Sequence, residues 1–159
     1  MQRKTLCSVT SVLLGVLFLS APEIFAQPDS SRAKQVAALV DKAAALIESK
    51  GKEAFPEFRK KDSEWYKDDT YIFVVDMKGK GLVQPVKPDM EGKDLLDLKD
   101  SDGKAVVREM VNMLKGKKTD WVEYMWPKPG KTEPSRRLSY IKKAKLGGEE
   151  VIVESGYYP

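Results

Sequence analysis

One arginine and several aromatic residues are the side chains in this sequence best suited to binding a small anion. An anion pocket needs a fixed cation, a few hydrogen-bond donors and walls that exclude water. Arg137 offers the cation, and four aromatic residues offer donors and walls if their strands are neighbours: Tyr71, Tyr124, Trp126 and Tyr140. Side chains alternate along a strand, so Arg137 and Tyr140 should face opposite sides of a sheet, and we favour Arg137 over Tyr140. Two plainer alternatives stay open: aromatic rings that serve only the core, and a solvated arginine.

Composition excludes several kinds of chemistry. The chain has no histidine, and its one cysteine, Cys7, lies close to the N-terminus. It therefore lacks the residues for a Ser-His-Asp or Cys-His nucleophile and for a Cys/His zinc site. A hydrolase would need a carboxylate pair, and no spacing singles one out. The net charge of +4 is spread among interspersed acidic and basic residues. We therefore predict no enzyme, no cofactor and no nucleic-acid partner.

An acidic segment invites comparison with a calcium-binding loop. With Gly103 at the sixth position of an EF-hand loop, Asp100, Asp102 and Glu109 fall at the third, fifth and twelfth. The first position would be Leu98, which has no side-chain oxygen to offer. We read the segment as a turn and a helix start, and predict no metal site. Asp76, at the end of a predicted strand before a glycine turn, is likewise interpreted as a turn residue.

The N-terminus has the pattern of a secretion signal. Arg3 and Lys4 precede an apolar run at residues 9–19, and Ala26 offers a small residue at the cleavage position. The run is roughly half of the ~20 residues that cross a bilayer. The pattern predicts a signal peptide over residues 1–26, cleaved after Ala26, and a periplasmic protein. An uncleaved anchor is the alternative.

Hydrophobic periodicity predicts the elements that position these residues. Residues 27–50 form an N-terminal region whose apolar residues recur at helical spacing, with Gly51 as its stop. Residues 51–159 form a single domain, with strands predicted at 71–76, 82–84, 120–126, 138–144 and 150–156 and a helix at 105–114. This order predicts an α+β fold in which the helices lie on one side of a single antiparallel sheet.

Seven short motifs occur along the chain in the order in which they occur in one family. Together they make the sequence resemble the single Cache sensor domains of bacteria, of the second small-molecule-sensing type. The resemblance covers residues 51–158 and implies a PAS-like fold, with a long N-terminal helix and a sheet whose concave face binds a small organic acid outside the cytoplasmic membrane. The motifs are Gly51 with Ala54-Phe55, Tyr71-Ile72-Phe73-Val74-Val75-Asp76, Gly92-Lys93-Asp94-Leu95, Lys99-Asp100-Ser101-Asp102-Gly103-Lys104, Trp121-Val122-Glu123-Tyr124-Met125-Trp126-Pro127-Lys128-Pro129, Arg137-Leu138-Ser139-Tyr140-Ile141-Lys142 and Glu154-Ser155-Gly156-Tyr157-Tyr158.

The resemblance implies a set of ligand-binding residues, and this sequence departs from the family pattern at two of them. Relatives commonly have a histidine where Gln84 stands and a lysine where Arg137 stands. Glutamine cannot become charged, whereas arginine keeps the cation and adds a bidentate fork. The predicted ligand is a small monocarboxylate such as acetate, propionate, lactate or pyruvate. The predicted binding set is Arg137, Trp126, Tyr124, Tyr71, Phe73, Gln84 and Tyr140.

The function expected from these observations is periplasmic binding and sensing of a short-chain carboxylate. The family's receptors usually continue into a membrane helix and an output domain, whereas this sequence stops at Pro159. We therefore expect it to signal through a separate partner, either a membrane sensor kinase or a chemoreceptor. The N-terminal helix is the expected contact for that partner or for a second copy in a homodimer, unless it folds back onto the sheet. The alternative function is a secreted structural or adaptor domain with a non-functional pocket.

Overall fold

The computed structural model describes residues 30–159. The predicted signal peptide and its cleavage site lie outside the described residues. No helix within residues 30–159 is long and apolar enough to cross a bilayer.

The N-terminal helix, α1, spans Ser30–Lys50 and is amphipathic. Its buried side chains recur at intervals of three and four residues: Val36, Val40, Ala43, Ala44 and Ile47. The helix ends at Lys50, directly before Gly51, whose positive φ of 61° suits glycine better than any other residue. A 3₁₀ turn, Gly51–Ala54, and a short helix α2, Phe55–Phe58, follow. The predicted helix and its stop are confirmed.

The central sheet has five antiparallel strands: β3 Phe73–Asp76, β4 Gly81–Val83, β5 Thr119–Pro127, β6 Pro134–Leu146 and β7 Glu149–Tyr157. Their spatial order is β4-β3-β7-β6-β5. The last three form the predicted meander, in which β6 pairs with β5 over residues 134–142 and with β7 over residues 138–146. Helix α3, Val106–Leu114, precedes them.

The predicted strand over residues 71–76 is divided in the structure. Thr70–Tyr71 is β2, which pairs with β1, Tyr66–Lys67, in a separate two-stranded ribbon. Ile72 breaks the run because its backbone amide donates to the carbonyl of Trp65 at 3.1 Å. Only Phe73–Asp76, as β3, joins the main sheet.

The helices cover opposite faces of the sheet, so the prediction that they lie on one side was wrong. Helix α1 packs with Val151 and Val153 of β7, whereas α3 packs with Ile152 of the same strand. Strand β7 thus carries apolar residues on both faces, and each face must be covered. The apolar side of α1 is buried against the sheet, and Leu39 and Leu46 also pack there. This packing corresponds to the alternative in which α1 folds back onto the sheet.

Candidate functional site

A small cavity of about 30 Å³ lies between the α3 face of the sheet, helix α3 and residues 84–98. Since a buried water needs about 10–15 Å³ by the same measure, this is room for a ligand of a few heavy atoms. Five of its lining side chains carry polar atoms: Tyr71, Gln84, Tyr124, Trp126 and Glu154. The remaining lining residues are apolar: Phe73, Met90, Leu98, Val106, Val107 and Met110.

Strand alternation brings the aromatic residues to the cavity. On β5, Tyr124 and Trp126 point to the α3 face. Tyr124 pairs with Arg137 of β6, so both side chains project from the same face of the sheet. Tyr71 and Phe73 come from β2 and β3 across the cavity.

Arg137 is completely buried behind the cavity, although it is not part of the lining. Its guanidinium lies 4.4 Å from the centre of the Tyr71 ring and 5.1 Å from that of Tyr158. Nη1 donates to the backbone carbonyl of Asp69 at 3.2 Å. Nε lies 3.5 Å from Glu154 Oε1, an ion pair that is longer than an ordinary hydrogen bond. Within residues 30–159, neither Nε nor Nη2 has an acceptor at ordinary hydrogen-bond geometry, while the Tyr158 hydroxyl interacts with the guanidinium.

Electrostatics keep this group cationic. Burial disfavours the cation, but Tyr71, Glu154, Tyr124 and Tyr158 favour it more strongly, and the pKa of Arg137 is raised well above its ordinary value. Burial also raises the pKa of the Tyr71 and Tyr124 hydroxyls far above the ordinary value, and the charge of Glu154 adds to the rise. The tyrosines are therefore neutral hydrogen-bond donors at neutral pH.

Glu154 is the site residue that sequence reasoning missed. Its side chain is 1% exposed, lines the cavity, and accepts a hydrogen bond from the Tyr124 hydroxyl at 3.2 Å. That hydroxyl in turn accepts from Ser139 Oγ at 3.5 Å. One signal was available: Glu154 is the single charged residue at the end of the apolar run Val151-Ile152-Val153. A charge in a strand buried on both faces usually has a partner.

The structure brings most of the predicted site residues together. Tyr71, Phe73, Gln84, Tyr124 and Trp126 line the cavity, and Arg137 lies behind it. Tyr140 is the exception. It projects from the opposite face, packs against the α1-side core and lies 5.2 Å from the Trp121 ring.

Residues 84–98 are held over the cavity by a second ion pair. Arg59 Nη2 donates to Glu91 Oε2 at 2.7 Å, and Glu91 Oε1 accepts from the backbone amide of Gln84 at 2.8 Å. Burial would raise the pKa of Glu91, but the hydrogen bonds from Arg59 and Gln84 outweigh it and lower the pKa. At the rim, Lys87 Nζ lies 4.6 Å from the centre of the Trp126 ring.

The two acidic segments interpreted as turns have the contacts of turns, which confirms those predictions. Asp100 Oδ1 accepts from the backbone amides of Asp102 and Lys104, and Oδ2 accepts from Met125 of β5 at 2.9 Å. Asp76 Oδ1 accepts from the amides of Lys78 and Lys80. Asp100 thus ties the loop before α3 to the strand that carries Tyr124.

Comparison with known proteins places this geometry in a family. The family model described as "Cache domain" matches residues 31–147. The chain is 38% identical over 93 residues to the methyl-accepting chemotaxis protein McpP of Pseudomonas putida, covering 58% of this chain and 17% of the relative. It is 31% identical over 93 residues to the sensor histidine kinase MctS of Rhizobium johnstonii, covering 58% and 20%.

A solved structure described as "Structural basis for carboxylic acid recognition by a Cache chemosensory domain" superposes with a TM-score of 0.68 at 29% identity. The match covers 80% of this chain and 93% of that one. The chain spans a fifth or less of the length of the curated relatives it matches. Cache domains are extracytoplasmic, ligand-binding sensor domains of chemoreceptors and sensor kinases. The PAS-like fold of this chain and the family match over most of the chain's length show that it belongs to the Cache domain family.

Proposed function

We propose that this protein is a periplasmic sensor that binds a small monocarboxylic acid in the cavity beside Arg137. The candidate ligands are acetate, propionate, lactate and pyruvate. The similarity to a Cache domain that recognises carboxylic acids supports the ligand class. The proposed site comprises Tyr71, Phe73, Gln84, Tyr124 and Trp126, which line the cavity. Arg137 lies directly behind this lining and would meet the ligand once the residues between them move apart.

The observation that carries the proposal is the buried guanidinium of Arg137. A buried donor without an acceptor is costly, and native proteins leave few of them. Within residues 30–159, Nη2 has no acceptor at ordinary hydrogen-bond geometry, Nε has only the long contact to Glu154, and the Tyr158 hydroxyl interacts with the guanidinium. A ligand carboxylate is the acceptor that suits a guanidinium fork.

The size of the cavity favours the smallest acids. A ligand of four heavy atoms at the ceiling of about −1.5 kcal/mol per atom gains roughly −6 kcal/mol. That corresponds to a dissociation constant of about tens of micromolar. Lactate and pyruvate, with two more heavy atoms each, require the residues around the 30 Å³ cavity to move apart. We therefore expect acetate and propionate to bind more tightly per atom than lactate or pyruvate.

A signal from this site needs a partner. Binding changes nothing downstream unless the ligand prefers one of two arrangements of the protein. The chemotaxis protein and the histidine kinase among the relatives suggest two classes of partner, a chemoreceptor or a membrane sensor kinase.

One observation favours a second candidate function. Glu154 already supplies a carboxylate to Arg137 and Tyr124 from within the protein, and the space left is small. A pocket filled by its own side chain is what a structural or adaptor domain with a non-functional pocket would show.

Isothermal calorimetry at pH 6 with the four acids tests both candidates. Acetone, which has the size of acetate but no acid group, is the matched control ligand. We expect acetate and propionate to bind and acetone not to bind. Binding of none of the acids at millimolar concentration would overturn the sensor proposal and support the adaptor domain.

Two variants locate the site. Arg137→Met/Glu154→Leu removes both buried charges together, so neither is left unpaired. It should fold and lose acid binding. Arg136→Met is the matched control, because Arg136 lies next to Arg137 on β6 but pairs with the exposed Glu123. Unchanged acid binding by the double variant would place the site elsewhere.

A further inference from the structure

We propose that the cavity takes up one proton with each carboxylate it binds, and that Glu154 shares this proton with the ligand. The inference rests on the proposed function and concerns the same cavity. It makes the bound species equivalent to an undissociated acid, although the acid is ionised in solution at neutral pH.

The position of Glu154 is the first step. Glu154 lines the cavity, so any ligand that fills a space of about 30 Å³ lies against its carboxylate. The Tyr124 hydroxyl and Arg137 Nε hold that carboxylate from the sheet side. Two carboxylates in one buried site repel each other strongly, and such pairs hold a proton between them.

The charge balance is the second step. Among the residues that the structure describes, Arg137 is the single cation beside Glu154, at 3.5 Å, and this ion pair is already neutral. An added anion would leave a net negative charge in a buried site. The other titratable groups facing Glu154 are the neutral phenols of Tyr71, Tyr124 and Tyr158. The side chains that α3 and residues 84–98 present to the cavity are uncharged: Val106, Val107 and Met110 of α3, and Gln84, Met90 and Leu98.

The proton therefore has to come from solvent. It enters with the ligand and lies as O–H···O⁻ between the Glu154 carboxyl and the ligand carboxyl. The donors of Arg137 and Tyr124 remain available to the outer oxygens of that pair. No covalent bond forms or breaks apart from the O–H bond.

The composition of the chain makes this effect measurable. Histidine is the side chain that ordinarily titrates between pH 5 and 8, and this sequence contains none. A change in acid affinity between pH 6 and 8 would thus lack the usual histidine background.

The experiment is calorimetry with acetate on the full chain in phosphate at pH 6, 7 and 8, with the measurement at pH 8 repeated in Tris. The two buffers release different heats on ionisation, so the difference counts the protons taken up. We expect about one proton per acetate, and a dissociation constant that rises about tenfold per pH unit. The affinity should therefore fall about a hundredfold between pH 6 and pH 8. Binding without proton uptake would overturn the inference and leave the proposed function intact.

Glu154→Gln is the informative variant. Glutamine keeps an acceptor for Tyr124 and Arg137 but carries no charge, so the incoming anion itself balances the guanidinium. The affinity of the Glu154→Gln protein for acetate should change less than about threefold between pH 6 and 8. At pH 8 it should exceed the affinity of the wild type by at least about tenfold. Glu150→Gln is the control, since Glu150 lies on the same strand and pairs with Lys143 at the surface.

The outcomes separate the two proposals. A Glu154→Gln protein that keeps the wild-type pH dependence would overturn the role of Glu154. If neither the wild type nor the variant binds any of the four acids at pH 6, the proposed function fails as well. Should Glu154→Gln not fold, the proton count in the two buffers still decides the inference on the wild type alone.

Discussion

The α1 face of the sheet buries valine, alanine and isoleucine, whereas the α3 face buries an arginine, a glutamate and several tyrosines beside a cavity. On the α1 face, Val40, Ala43 and Ile47 pack directly on β-strand residues such as Val151 and Val153. On the α3 face, Arg137 and Glu154 are 0% and 1% exposed, and their ion pair lies at 3.5 Å.

This difference sets purely apolar packing on one face against an interior of mixed apolar and charged groups on the other. Apolar packing gains free energy from burial alone, and similar side chains can substitute for one another. A buried ion pair gains little net stability, because desolvation offsets the attraction between its charges. Its presence on one face only supports the proposal that the α3 face holds a binding site beside the apolar cluster that this face also buries.

Removing one member of the buried pair should have the largest effect. Arg137→Met leaves Glu154 as an uncompensated buried charge, and we expect unfolding to become easier by about 3–5 kcal/mol. Urea denaturation followed by circular dichroism measures this. The control is Arg137→Met/Glu154→Leu, which should recover most of the loss. Equal destabilisation of the single and double variants would contradict the separation of the two faces.

A mutation that creates a new cavity in the core on the α1 face should destabilise the protein without changing acid binding on the α3 face. Ile47→Ala removes buried methyl groups, with an expected loss of about 2–5 kcal/mol of unfolding free energy. Acetate affinity per folded molecule should stay within about twofold of the wild type. Lys34→Ala, on the exposed side of α1, serves as the surface control, with an expected change within about 0.5 kcal/mol. A large loss of acid affinity in Ile47→Ala would show that the two faces are coupled.

The smallest of the three effects concerns the tie between the loop before α3 and β5. Burial disfavours the charge of Asp100, but hydrogen bonds from the amides of Met125, Lys104 and Asp102 outweigh it, and the pKa of Asp100 is lowered. Its contribution to stability is therefore fully present above about pH 4 and is lost as the pH falls through the folded-state pKa. Asp100→Asn should cost about 1–3 kcal/mol at pH 7.

The pH dependence makes this test specific. The stability of Asp100→Asn should fall less than that of the wild type when the pH is lowered from 7 to 3. Asp102→Asn is the matched control, because Asp102 is exposed in the same turn. If acidification costs Asp100→Asn as much stability as the wild type, the hydrogen bonds of Asp100 do not hold its carboxylate in the charged form.

Much of the fold could be predicted because its elements are long and strongly patterned. Helix α1, helix α3 and the β5–β7 meander lie close to their predicted positions. The ribbon of β1 and β2 escaped prediction because strands of two residues carry no periodic signal. The placement of helices on both faces was missed, although the continuous apolar run in β7 indicates burial on two sides.

The site was predicted less completely, for a geometric reason. Alternation along β6 correctly separated Arg137 from Tyr140. The partner of Arg137 could not be read in the same way, because Glu154 is not its cross-strand neighbour. Glu154 pairs with Ile141, and Arg137 pairs with Tyr124. Their side chains meet along the sheet, and such a contact depends on side-chain reach, which sequence spacing does not give.

The distribution of the three tryptophans gives the protein a built-in optical reporter. Trp65 belongs to the α1-side core and Trp121 lies against Tyr140, whereas Trp126 lines the cavity. A Trp65→Phe/Trp121→Phe protein would emit from Trp126 alone. Saturating acetate should then shift or quench that emission, and Lys87 over the ring adds sensitivity to any movement of the rim. Light from a single indole would follow occupancy in real time, without any label attached to the ligand.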